Sequence, residues 1–276
     1  MKVFYSDRMV CDARSFSPSA GKPREVVRSW RAAGIPLDIA EPQPVTPAEL
    51  ATAHDPAFVR GVLAGTIPNG FGNTSPEVAA TLPYTTGAML SAARWVLSEG
   101  AVAAAPCSGF HHAGHALASG FCTFNGLMVT ALVLRAEGRA RRVAILDFDQ
   151  HFGDGTDEII DALDIDCVRH VTAGERRRTP ADVPAFLDDI DPWIDAMADC
   201  DLLLYQAGAD PHVDDPLGGW MTTAELRERD RRVFHAARAR NLPVVWNLAG
   251  GYQTPLRKVL DIHDNTAREC VAAWPD

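Results

Sequence analysis

The chain has 276 residues, 47% of them hydrophobic, and 36 acidic against 26 basic side chains give a formal net charge of −10. This is enough chain to bury a large core, and the negative balance excludes a general basic footprint for nucleic acid or an anionic membrane surface. Six scattered cysteines without a Cys-x-x-Cys pair exclude a thiolate zinc site and a disulfide scaffold, and no apolar segment reaches transmembrane length. The expectation is a cytoplasmic protein with free thiols.

Residues 3–5 read as a first strand rather than part of a signal peptide, because no long apolar stretch follows Lys2. A loop bearing Gly, Pro and Arg leads to a helix over 25–33, stopped by Gly34-Ile-Pro36. Thr46-Pro-Ala-Glu-Leu50 carries a capping signal, and His54-Asp-Pro56 opens a helix over 57–64 before a polar loop at 67–76. His54 stands alone and is expected to be solvated or to cap. Residues 78–99 form a long helix rich in small and apolar side chains, with Met89 and Trp95 in the core and Gly100 as its stop.

Residues 101–106 make a buried strand that empties into Cys107-Ser-Gly-Phe-His-His-Ala-Gly-His115, and a helix follows over 127–137. Residues 143–146 make a second buried strand running into Asp147, Asp149, His151 and Asp154, where Gly153 and Gly155 signal a turn into a helix over 157–163. Then come a strand over 166–171, an arginine-bearing loop at 174–180 and a helix over 184–198. The strand over 202–205 ends in Gln206-Ala-Gly-Ala-Asp210, a charged helix covers 222–240, and the strand over 243–248 ends in Ala249-Gly-Gly-Tyr252. Strands alternating with helices predict one domain over 1–276, a three-layer α/β/α fold with a mainly parallel sheet of about eight strands. In such sheets ligands bind beyond the C-terminal strand ends. If the extended backbone continues past residue 147, Asp147, Asp149 and His151 share one face at roughly 6 to 7 Å spacing. Two carboxylates and an imidazole so placed conflict unless a cation or proton is shared among them, and a divalent metal resolves the conflict.

His111-His112-Ala113, the run Asp147-Phe-Asp-Gln-His-Phe-Gly-Asp-Gly155, Gly208-Ala-Asp210 and Gly250-Gly-Tyr252 together resemble the histone deacetylase superfamily, which includes the acetylpolyamine amidohydrolases. The opening Val3-Phe-Tyr-Ser6, His54-Asp-Pro-Ala-Phe-Val59 and Ser75-Pro-Glu-Val-Ala79 resemble it too, so the likeness covers most of the chain. It implies an arginase/deacetylase-like fold and a zinc-dependent amidohydrolase that uses metal-activated water on an acyl-lysine, an acylpolyamine or another small acyl amine. Asp149, His151 and Asp210 are then the ligands of Zn²⁺, with Fe²⁺ or Co²⁺ as other occupants. His112 is the general base and His111 its neighbour, backed by Asp154 and Asp147 respectively, and Tyr252 polarises the acyl carbonyl. Gly120 and Phe121 line the substrate channel, and a structural K⁺ or Na⁺ sits near Asp147. No membrane or nucleic-acid partner is implied, and a homo-oligomer is compatible with the resemblance.

The chain departs from the family pattern at the mouth and behind the histidines. Cys107-Ser-Gly-Phe110 replaces the usual Arg-Pro-Pro-Gly, and Phe152 stands where most relatives have a second histidine. The loop after Val171 lacks the aromatic that forms a second channel wall, and loop 67–76 lacks an acid to grip a peptide backbone. Cys107 and Cys122 are expected to pack, His115 to be structural or solvated, and Arg176 to Arg178 to be a solvated run. Two other readings remain open: a non-catalytic, metal-containing protein that binds acyl amines or forms complexes, and a two-metal ureohydrolase.

Overall fold

A computed structural model describes residues 1–99 and 101–275, so Gly100, the expected helix stop, lies outside the described residues. Seven strands, β1 (Lys2–Phe4), β2 (Asp38–Ala40), β3 (Val102–Ala104), β4 (Val143–Asp147), β5 (Val168–Thr172), β6 (Leu202–Gln206) and β7 (Val244–Asn247), form one sheet in the order β2-β1-β3-β7-β6-β4-β5. Every neighbouring pair is parallel. The described sheet thus has seven strands, all parallel, against the expected eight or so.

The central strands β3, β4, β6 and β7 are buried at every residue because both faces are covered. Side chains alternate between faces along each strand. Val143 and Ile145 of β4 pack with Leu202, Leu204 and Val245, under α2 (Pro47–Leu50), α3 (Pro56–Leu63), α4 (Pro76–Glu99), α5 (Gly126–Ala136) and α6 (Asp154–Ala162). Ala144 and Leu146 join Leu203, Tyr205 and Trp246 on the other face, under α1 (Lys22–Ala32), α7 (Val183–Ala196), α8 (Thr223–Ala239) and α9 (Arg257–Ala273). These are the three layers. The capping signal at Thr46 is a capping box, and Thr222 starts α8 with another: Glu49 and Glu225 each accept the N-cap threonine's backbone N–H at 2.7 Å.

Two elements escape the sequence reading. Helix α9 buries His263, Asp264, Thr266 and Glu269 alongside its apolar residues, so polar side chains on the inner face obscure its period. Strand β2 is a three-residue edge, too short to show alternation.

The backbone after β4 also differs from expectation. The strand ends at Asp147, whose carboxylate accepts the Asp149 N–H at 3.1 Å, and Asp149 in turn accepts the His151 N–H at 3.0 Å. The extended backbone therefore stops at Asp147, and the group of potential metal ligands takes Asp149 and His151 without Asp147. The next helix begins at Asp154 rather than Asp157.

His54 is wholly buried, not solvated. Its Nδ1 meets Gly114 O at 2.9 Å while Nε2 accepts the Asn125 N–H at 2.8 Å, which ties helix α5 to the loop after β3. That arrangement fits only the neutral ring, and burial lowers its pKa to about 4 from 6.5. Below pH 6.5 the unfolded chain takes the proton first, so the stability from His54 is full above that value and is lost as pH falls toward 4. The loss amounts to about 3 kcal/mol. His54→Gln should therefore be less stable than wild type at pH 7.5 in urea unfolding, with a gap that narrows at pH 4.5. A gap of the same size at both pH values would contradict this.

Candidate metal centre

The four adjacent strands β3, β7, β6 and β4 supply the site from their C-terminal ends. Hydrogen bonds continue past those ends, from Phe148 N to Gln206 O, from Ala207 N to Asn247 O and from Ala209 N to Gly250 O, each at 3.0 Å. The loops that follow are thereby held side by side.

Asp149, His151 and Asp210 each present one ligand atom, all within 4.8 Å of one another. His151 Nδ1 lies 3.0 Å from Asp149 Oδ1 and 3.2 Å from Asp210 Oδ2. Two ligand atoms of a tetrahedral site with bonds of about 2.0 Å stand about 3.3 Å apart. Asp149 Oδ2 accepts the Gly250 N–H at 2.8 Å and Asp210 Oδ1 accepts the Gln150 N–H at 3.2 Å. Asp210 Oδ2 is buried and has no hydrogen-bond partner, so an acceptor is aimed at the centre of the three. One imidazole nitrogen and two carboxylate oxygens make a donor set that fits Zn²⁺, Fe²⁺ or Co²⁺. The electrostatics carry the same conflict: burial and the Asp149 charge raise Asp210 to about 7, while the nearby carboxylates of Asp149 and Asp210 raise His151 to about 11.

The two histidines are held differently. His111 is buried, with Nδ1 2.6 Å from Asp147 Oδ2 and Nε2 3.7 Å from Asp149 Oδ1. His112 Nδ1 lies 2.6 Å from Asp154 Oδ1, and the ring is 4.1 Å from that of His111 and 5.8 Å from that of His151. Burial opposes the charge on His111, but Asp147 and Asp149 override it and raise the pKa to about 9. Burial and the charge on His111 push His112 down. The pair is thus split into one charged and one neutral ring. Both pairings match those implied by the resemblance.

Tyr252 reaches the site through Gly250, where a Cβ would lie 2.1 Å from Asp210 Oδ2. Its N–H donates to Asp215 at 2.8 Å, and burial with the Asp149 and Asp210 charges holds its hydroxyl protonated. Phe121 lies 5.9 Å from the Tyr252 ring. Gly120 packs on His112, where a Cβ would meet the ring at 2.4 Å.

Sequence reasoning missed Lys22. It is wholly buried, and its Nζ donates to Ala249 O at 2.5 Å, across 227 residues. Burial lowers it to about 8 against the opposing charges of Asp210, Asp149 and Asp215. The signal was a lysine at the N-terminus of an amphipathic helix, which ordinarily means a solvated side chain. His170 was missed as well: its Nδ1 lies 2.7 Å from Asp157 and its Nε2 is 4.0 Å from Asp147.

At the mouth, Phe16 packs edge-on against Phe121 at 5.3 Å and Phe71 lies 5.9 Å from it, so the loop after β1 and the polar loop at 67–76 both add aromatics to the rim. Among the described residues the exposed large hydrophobics are Phe16, Leu117, Phe152, Val213 and Leu217. All follow C-terminal strand ends: Phe16 after β1, Leu117 after β3, Phe152 after β4, and the last two after β6. Cys107 and Cys122 are buried with raised thiol pKa values, as packing residues should be. His115 Nδ1 meets Ala53 O at 2.9 Å, a structural role. Arg178 is not solvated but is buried over Phe186 and Trp220, whose rings hold its charge.

Residues 19–166 match the model of the histone deacetylase domain. The chain is 30% identical over 252 residues to an uncharacterized protein of Picosynechococcus, covering 83% of each chain. It is 27% identical to the acetoin utilization protein AcuC of Bacillus subtilis, over 78% of this chain and 66% of that one. It is 33% identical over 148 residues to histone deacetylase 6 of Caenorhabditis elegans, of which the match spans 15%. Among solved structures, the HD domain of HDA15 superposes with a TM-score of 0.81 at 20% identity, over 98% of this chain and 88% of that one. The acetylpolyamine aminohydrolase of Burkholderia pseudomallei does so with a TM-score of 0.76 at 21% identity, over 99% of both chains. At these identities the two structures establish the shared fold. Sequence match, sheet and site geometry lead to one conclusion: the chain belongs to the histone deacetylase domain family.

Proposed function

We propose that the chain is a zinc-dependent amidohydrolase that removes the acyl group from an acylated amine. The observation that carries this reading is the partnerless Asp210 Oδ2, buried and facing His151 and Asp149 beside a split histidine pair. Zinc held by Asp149, His151 and Asp210 would supply a Lewis acid that polarises the carbonyl and makes water acidic.

The remaining roles fall to the chain's own residues. With Nδ1 engaged by Asp154, His112 presents Nε2 as an acceptor and takes a proton as water oxygen bonds to the acyl carbon. Tyr252 donates its hydroxyl to the carbonyl oxygen as charge develops there. The C–N bond then breaks and a histidine returns the proton to the leaving amine, giving a carboxylate and a free amine. Asp147 fixes His111, while Gly120 and Phe121 shape one wall of the channel. Asp147 already takes His111 on one oxygen, and Gln206 and the Asp149 N–H on the other. A K⁺ or Na⁺ there would draw on main-chain carbonyls.

The apolar rim supports an acylated amine with an apolar flank over a polycation such as a polyamine or a basic tail. A screen of zinc-loaded protein on acetylated apolar amines, acetyl-lysine peptides and acetylpolyamines tests this. The expected order puts apolar amines first by about tenfold in kcat/KM. Equal rates on all three would refute the substrate preference, and no turnover on any would favour a non-catalytic acyl-amine-binding protein.

A further inference from the structure

Arg229 of α8 is wholly buried, and its guanidinium spans the two segments that carry the carboxylates of the metal centre. Its Nη1 donates to Gly208 O at 2.7 Å and to Phe148 O at 3.2 Å. Phe148 immediately precedes Asp149, and Gly208 lies two residues before Asp210. These segments touch, since a Cβ on Gly208 would stand 2.8 Å from Asp149 Cα and 3.1 Å from Phe148 O. Two carbonyls brought this close at neighbouring strand ends repel unless a donor lies between them, and Arg229 is that donor.

The guanidinium is itself aimed. Its Nε donates to Asp230 Oδ1 at 2.8 Å, and Asp230 also accepts the Tyr205 hydroxyl at 2.5 Å and the Thr266 hydroxyl at 2.6 Å. The network joins β6, α8 and α9 and leaves Arg229 one direction in which to point. A planar fork can bond Asp230 and both carbonyls at once, whereas a lysine ammonium in the same place keeps the charge without that geometry.

We propose that Arg229 is a positioning residue for the metal centre, clamping the backbones on which Asp149 and Asp210 stand and so fixing the separation of their carboxylates. This rests on the reading of Asp149, His151 and Asp210 as zinc ligands. Groups behind a metal ligand that fix its position typically account for about 10- to 100-fold in metal affinity.

The test is the zinc dissociation constant, measured by competition with a chromophoric chelator, together with the thermal midpoint of the metal-free protein. Arg229→Met should weaken zinc about 10- to 100-fold and Arg229→Lys by less. Thr266→Val removes the hydroxyl on Asp230 Oδ2, the oxygen that Arg229 does not use; it should lower the thermal midpoint and leave zinc affinity unchanged. If Arg229→Met does not fold, Arg229→Lys carries the measurement. Wild-type affinity in both Arg229 variants would overturn the proposal. So would a loss of affinity in Thr266→Val proportional to its loss of stability, since that is general loosening. A wild-type protein that binds no zinc would overturn the metal reading and this inference together, whereas tight wild-type binding with no effect at Arg229 would overturn this inference alone.

Discussion

Asp210→Asn is expected to lose zinc and, with it, roughly 10³-fold or more of acyl-amine hydrolysis, while the fold survives. Asp210 is fully buried, one oxygen is spent on the Gln150 N–H, and the other faces Asp149 and His151 with no partner. An amide at this position keeps the size of the carboxylate but removes a charge that burial and Asp149 disfavour in the metal-free site, where they raise the carboxyl to about 7. The metal-free variant should therefore be at least as stable as the metal-free wild type. The wild type should gain thermal stability with added zinc by mass action, and Asp210→Asn should not. Thermal midpoints with and without zinc check this; a zinc-dependent rise that persists in Asp210→Asn would show that Asp210 is not a ligand.

Tyr252→Phe and His112→Ala separate binding from turnover, because neither side chain belongs to the ligand set. Tyr252→Phe removes one hydroxyl next to the Asp149 and Asp210 charges and is expected to lower kcat by about 10²- to 10³-fold. His112→Ala removes the ring held by Asp154 at 2.6 Å and should cost roughly 10²- to 10⁴-fold. Both should keep one zinc per chain. Full activity in Tyr252→Phe on a substrate turned over by the wild type would remove the oxyanion role.

Much of this site could be read before any coordinates because its residues lie in short runs at strand ends. Asp149 and His151 sit just past one buried strand and Asp210 just past another, and parallel strands deliver their ends to one edge. The roles within the run were harder to read. Spacing alone put Asp147 in line with Asp149 and His151, whereas β4 ends at Asp147, whose carboxylate accepts the Asp149 N–H and bonds His111. Long-range contacts were the least visible. Lys22 reaches Ala249 across 227 residues, and Arg229 reaches Phe148 across 81. Buried cations in otherwise amphipathic helices look like solvated ones until the packing is known. His54 failed for the same reason: both its nitrogens are satisfied by backbone groups far along the chain. The aromatics at the mouth were invisible because Phe16 and Phe71 lie in loops with no period.

The central claim is one catalytic divalent metal on Asp149, His151 and Asp210. Among the described residues one such group of potential ligands occurs. Chelator-stripped protein titrated with zinc, with hydrolysis of an acetylated apolar amine followed at each addition, tests the claim most directly. Activity should rise linearly and break at one equivalent per chain. Full activity in the stripped protein, or a break at two equivalents, would contradict it.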